Sequence, residues 1–163
     1  MRFNQQMHGH LQDLKSREIG LVLDPGFAAR AQLTVEEHNG VVLLSRPAGG
    51  WRSRLAAFSD RTNLECTANK LSVGELLDPR LTATAPLLLL TAGLVLAERL
   101  TSELKPLDGR FNIILSYDGE SCALRFHRIR KGESWLHEDL EEYSEEGVLV
   151  CEAGEPGIGL LGT

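Results

Sequence analysis

The stretch Phe111-Asn112-Ile113-Ile114-Leu115-Ser116-Tyr117-Asp118-Gly119-Glu120-Ser121-Cys122-Ala123-Leu124-Arg125-Phe126 decides the fold. Apolar residues alternate on both sides of Asp118-Gly119, a pair favoured in two-residue type I′ turns. Counting outward from that turn opposes Leu115 to Cys122, Ile113 to Leu124 and Phe111 to Phe126 on one face. The other face pairs Ser116 with Ser121, Ile114 with Ala123 and Asn112 with Arg125. A slip of one residue would turn the whole apolar set to water, so a hairpin with one buried face is predicted over about 111–127.

Upstream lies what that face packs on. Residues 86–104 read as a long helix, with Thr84 as cap, Pro86 in the first turn, and Pro106 and Gly109 as stops. Its first half, Leu87 to Leu96, is apolar nearly all round, and charges enter only at Glu98, Arg99, Glu103 and Lys105. A helix without a polar face must be covered on more than one side, which makes it the central core helix. Part of 87–96 is also open to a homodimer contact. Further upstream, Leu33–His38 and Val41–Ser45 flank Asn39-Gly40, a second type I′ pair, which sets Val35 against Leu44 and Thr34 against Ser45. Gln5–Ile19 reads as an amphipathic helix that Asp24-Pro25-Gly26 breaks. Leu64, Cys66 and Ala68 alternate like a strand, and Ser72 with Glu75 has capping-box spacing for one helical turn ending at Asp78-Pro79.

Downstream, Trp135, Leu136, Leu140 and Tyr143 fall at helical spacing behind Ser134, and Val148–Cys151 makes a short closing strand. The expected fold is α+β: an antiparallel sheet built from two hairpins (about 33–45 and 111–127) packed on a long apolar helix (about 86–104), with short N-terminal and C-terminal helices. One domain spans residues 1–152, and the Gly-rich residues 153–163 form a flexible tail.

The chain has 163 residues, 42% of them hydrophobic, enough to bury a core without disulfide or metal. No apolar run approaches the roughly 20 residues of a membrane span, and the first residues lack a signal-peptide core. Three scattered cysteines, Cys66, Cys122 and Cys151, suit a reducing cytoplasm. The net charge of −6 is uneven, at +1 over residues 1–81 and −7 over 82–163. Six carboxylates crowd Glu138–Glu146, just after Arg125, Arg128, Arg130 and Lys131. Such acidity makes nucleic acid an unfavourable partner.

Motifs for chemistry are scarce. Gly49-Gly50 lacks the Lys-Ser/Thr ending of a phosphate loop, and there is no Gly-x-Ser-x-Gly elbow. No spacing calls for a metal or cofactor. Cys122 and His127 fall on opposite faces of one strand, and Cys66, Cys122 and Cys151 read as buried apolar side chains. What stands out is aromatic residues among charges, typical of recognition surfaces. The candidate partner-binding residues are Trp135, Glu138, Asp139, Glu141, Glu142, Tyr143, Glu145 and Glu146, with Trp51, Arg52 and Arg54 as a second candidate surface.

The leading expectation is a non-enzymatic binding protein, an acidic immunity or antitoxin-like inhibitor that covers a basic partner such as a toxin or secreted effector. In element order the chain also resembles bacterial secretion chaperones, a resemblance that implies a homodimer holding an effector segment. A third reading is a small enzyme in which His127, Arg125 and Arg128 meet Glu138 or Asp139 around an anionic substrate. The hairpin count makes one direct prediction. Replacing Ile113 or Leu124 by Asp should unfold the protein, and a folded variant by circular dichroism would show the face assignment to be wrong.

Overall fold

A computed structural model describes residues 1–17, 23–24, 26–45 and 60–156. In chain order the elements are β1 (Arg2–Phe3), α1 (Gln5–Ser16), α2 (Phe27–Arg30), β2 (Val35–His38), β3 (Val41–Leu44), α3 (Arg61–Ala68), β4 (Leu71–Ser72), α4 (Pro79–Thr84), α5 (Leu87–Leu104), β5 (Phe111–Tyr117), β6 (Cys122–Arg128) and β7 (Gly147–Glu152). Single 3-10 turns occupy Val73–Leu76 and Leu140–Glu142. The architecture is α+β with two antiparallel sheets, one of five strands in the order β1-β7-β5-β6-β4 and one of β2 and β3 alone.

The two hairpins therefore do not share a sheet, contrary to the expectation from sequence. The reason is a set of polar side chains on α3. Glu65 accepts the Val42 N–H (2.9 Å) and Asn69, at the end of the helix, accepts the Leu44 N–H (2.9 Å), filling β3 hydrogen bonds that another strand would take. The same two residues reach β6: Asn69 donates to Phe126 O (3.3 Å), and Glu65 accepts the Arg128 N–H (2.7 Å). A helix thus stands between the two edges. Asp60 caps it by accepting the Asn63 N–H, and Leu64, Cys66 and Ala68 lie on it rather than on a strand. Their alternation misled because α3 is buried on two sides: Leu64 packs with Val41 and Leu43, whereas Cys66 joins Ile114 and Val150.

Within the first hairpin the predicted pairing is present. Val35 opposes Leu44, and both turn residues, Asn39 and Gly40, have positive φ (54° and 76°). The second hairpin differs from the count by two residues: Tyr117 opposes Cys122, Leu115 opposes Leu124 and Ile113 opposes Phe126. Its loop is Asp118–Ser121, because the Asp118 carboxylate accepts the backbone N–H groups of Glu120 (2.9 Å) and Ser121 (2.6 Å) and closes a four-residue turn. A shift of two keeps every side chain on its face. Phe111, Ile113, Leu115, Tyr117, Cys122, Leu124 and Phe126 are all buried.

That face shares one core with α5, Met7 and Leu11 of α1, Phe27 of α2, and Val73 and Leu77. At Gly93 α5 leaves no room for a side chain against the sheet, since a Cβ would lie 2.7 Å from Leu115 Cδ1 and 2.8 Å from Cys122 Sγ. Leu87, Leu88, Leu89, Leu90, Leu94 and Leu96 are buried within the single chain. Pro86 occupies the cap position of α5, and Thr84, expected there, instead ends α4 with its hydroxyl donated to Arg80 O and Leu81 O.

The closing strand is longer than expected and lies inside the sheet, between β5 and β1. The helix expected over 135–143 is absent; only the turn Leu140–Glu142 is helical, with Asp139 accepting the Glu141 N–H. Instead Trp135, Leu136, Leu140 and Tyr143 fold as a cover over the second face of the sheet, against Ile114, Val148 and Val150. Ala153 is still tied to the sheet, its N–H donating to Phe111 O (2.8 Å), and the tail residues 157–163 lie outside the described residues.

Glu65 is fully buried and ion-paired with Arg130 (2.7 Å), whose Nη2 also donates to Gly40 O (2.9 Å). Replacing Glu65 by Leu strands that guanidinium and should cost about 3–5 kcal/mol. Urea unfolding measures it, and a loss below about 1 kcal/mol would show that the pair does not hold the two sheets together.

Candidate functional site

The second face of the five-stranded sheet carries the chemistry. Strand alternation brings Asn112 and Ile114 of β5, Arg125 and His127 of β6 and Val150 of β7 to this side, with Arg2 opposite Val150 at the edge. Asn4 fixes the cover over it. Asn4 is buried and uses its whole amide: Oδ1 accepts Met7 N–H (3.0 Å) and Val148 N–H (2.9 Å), while Nδ2 donates to Tyr143 O (3.0 Å) and Glu146 O (2.8 Å). Gln6 donates to Ser144 O, and Glu141 accepts the Gln5 N–H (2.9 Å). The N-terminal segment thus clamps the acidic run.

The clamp sorts the candidate partner-binding residues. Glu138, Asp139, Glu141, Glu142 and Glu145 are exposed, and Glu146 is half-buried. Trp135 and Tyr143 are half-buried covers of the small core on this face, with Tyr143 OH accepting the His137 N–H (3.0 Å). Trp51, Arg52 and Arg54, the second candidate surface, lie outside the described residues.

The arginines that precede the acidic run in sequence do not neutralise it. Arg125 donates to Cys66 O (2.8 Å) and lies 5.4 Å over the Trp135 ring. Arg128 pairs with Glu37 (3.0 Å), and Arg130 pairs with Glu65. Burial works against charge on Arg130, but the Glu65 carboxylate outweighs it and the guanidinium pKa is raised. Among the described residues no ion pair involves a carboxylate from Glu138 to Glu146. Glu142, Glu145 and Glu146 line one open depression together with Asp118.

Beneath the cover is a cleft of about 480 Å³. Ile114, Leu136 and Val150 make its apolar lining, and Arg2, Asn112, His127, Ser134, His137 and Glu138 its polar one. Of the residues in the enzyme reading, His127 and Glu138 share this cleft; Arg125 and Arg128 are engaged elsewhere, and Asp139 caps a turn. Arg2 and Asn112 escaped sequence reasoning. Asn112 was visible as a polar residue on a strand, but the two-residue register shift hid its pairing with His127. The cysteines are buried, and burial pushes Cys66 and Cys151 up to about 12 and Cys122 up as well, so none is a thiolate near neutral pH.

His127 is 4% exposed, and its Nδ1 lies 2.9 Å from Arg128 O. A carbonyl only accepts, so Nδ1 carries the hydrogen and the neutral ring keeps its lone pair on Nε2. Burial holds the ring below the usual imidazole range. The folded state then binds fewer protons than the unfolded state, so this stability is present above pH 6.5 and is lost as pH falls from there through the lower pKa of the folded ring. Stability to urea should fall between pH 7 and pH 5 by at most about 1.4 kcal/mol per pH unit from this group. The slope should flatten in a His127→Asn variant, and an unchanged slope would assign it to other residues.

No curated protein and no solved structure matches this chain. One family model does, over residues 2–158, a span that takes in β1, the clamp, the cleft and the acidic run. By that match the chain belongs to the family described as the Uncharacterized protein PM0498 family.

Proposed function

We propose that the protein is a non-enzymatic docking module whose acidic surface binds a basic protein partner, in the manner of an immunity or antitoxin-like inhibitor covering a toxin or secreted effector. The observation that carries this reading is the engagement of Arg125, Arg128 and Arg130 away from the acidic run, which leaves its carboxylates without ion pairs among the described residues. Uncompensated charge of one sign attracts a partner of the other and raises its association rate. The clamp by Asn4, Gln5 and Gln6 gives the surface a fixed shape, which lowers the ordering cost of binding. The same charge repels the phosphates of nucleic acid.

The chaperone-like homodimer is less well supported, since the leucines of 87–96 are covered within one chain. The enzyme reading keeps only His127 and Glu138 in a common cleft.

The test is Glu142→Lys, Glu145→Lys and Glu146→Lys combined, which spares Asp139 and Glu141 because their carboxylates hold backbone N–H groups. Surface changes of this kind should each move stability by within about 0.5 kcal/mol. Pull-down from the native cell should recover a basic protein with the wild type, weakening as salt rises, and fail to recover it with the variant. Equal recovery by a folded variant would remove this face from the binding surface.

A further inference from the structure

We infer that the cleft between the second sheet face and residues 134–138 binds a small zwitterion of the amino-acid class, with its carboxylate toward Arg2, its ammonium toward Glu138 and a side-chain N–H or O–H toward His127. The lining carries the argument. His127 is 4% exposed and lines the cleft, and its Nδ1–H is committed to Arg128 O, which leaves Nε2 as its acceptor. An imidazole acceptor on the wall of a cleft offers a hydrogen bond to the donor of a ligand that enters. Asn112, directly opposite His127 across β5 and β6, adds an amide that both donates and accepts.

Charge sets the class. Arg2 and Glu138 both line the cleft, with Arg2 Nη1 3.3 Å from the Glu138 backbone carbonyl, so the lining carries one guanidinium and one carboxylate. Their charges balance, and a simple anion or cation would meet a like charge as well as an opposite one. A zwitterion satisfies both. His127 is neutral in the tautomer that its Nδ1 bond requires, so it selects a donor and not a third charge. Arg2 on β1 and His127 on β6 are separated by β7 and β5, about 14 Å at ordinary strand spacing, which their side chains shorten from both ends. Ile114, Leu136 and Val150 supply apolar contact for the stem of a side chain. A volume of about 480 Å³ is within the range of small-molecule sites.

This inference does not rest on the docking surface, since Glu142, Glu145 and Glu146 do not line the cleft. The test titrates the full chain with each standard amino acid singly, and with acetate and ethylamine as the isolated charges. Thermal shift and the ¹⁵N resonance of His127 Nε2 are the readouts. An amino acid with a polar side chain should raise the melting temperature and move the Nε2 resonance at millimolar concentration, while acetate and ethylamine do neither. Arg2→Gln, at an exposed position, should weaken that binding about tenfold or more, the effect of losing a charge-assisted hydrogen bond. His127→Asn, which keeps a donor for Arg128 O, should do the same. The inference is overturned if no amino acid moves either readout, if acetate alone acts as strongly, or if Arg2→Gln binds like the wild type.

Discussion

The fold depends on two polar side chains one turn apart on a short helix and its C-cap. Glu65 and Asn69 are buried between the edge of β3 and the part of β6 that β4 leaves uncovered, and they bond backbone groups on both. Each edge would otherwise present unpaired N–H and C=O groups to the interior, where every orphan is expensive. A strand could have joined the two hairpins into one sheet. A helix bearing a carboxylate and capped by an amide links them differently, bonding the backbone of both without joining them into one ladder. Arg130 completes the set by neutralising Glu65 and reaching Gly40 O in the first turn. Removal of one member leaves the others buried and unpaired, so the group stabilises only as a whole.

This arrangement has a consequence on the far side of the sheet. With Arg128 and Arg130 drawn toward the β2–β3 hairpin and Arg125 laid on Trp135, the basic stretch of the sequence is folded away from the acidic one. The segment after it is left to cover the second face, where Asn4 pins it through two carbonyls. The cover then has two sides. Its inner side closes over a cleft containing His127, and its outer side displays carboxylates to solvent. One polar residue near the chain start therefore positions both features from which binding is proposed.

The two features differ in what they can recognise. The outer surface is open and of a single sign, suited to long-range attraction and a broad contact. The cleft is small and lined by a guanidinium, a carboxylate, an amide and an imidazole, suited to selecting a molecule by its hydrogen bonds. Both are built on the same strands, so a shift of the cover would change each at once.

Much was legible from sequence because it is local. Asn39-Gly40 adopts the positive φ angles that its turn requires, and the faces of β5 and β6 follow from strict alternation, which survives even a two-residue error in register. The register itself was not legible, since the Asp118 side chain selected a longer loop that competes closely with the two-residue turn. Leu64, Cys66 and Ala68 looked like a strand because periodicity reports how many sides of an element are buried, and α3 is buried on two. Trp135 to Tyr143 looked like a helix because its apolar spacing suits one, yet those side chains are spaced by the pockets of the sheet they cover. The site was least visible of all. Arg2, Asn4, Asn112 and His127 lie far apart in the chain, and no local pattern records that β1 and β7 bring the two ends together. Sequence by itself determined the turn chemistry and which side chains avoid water, because those depend on neighbours along the chain. Tertiary structure alone decided which edges meet, which charges are spent and what the acidic run faces, because those depend on long-range pairing of buried polar groups.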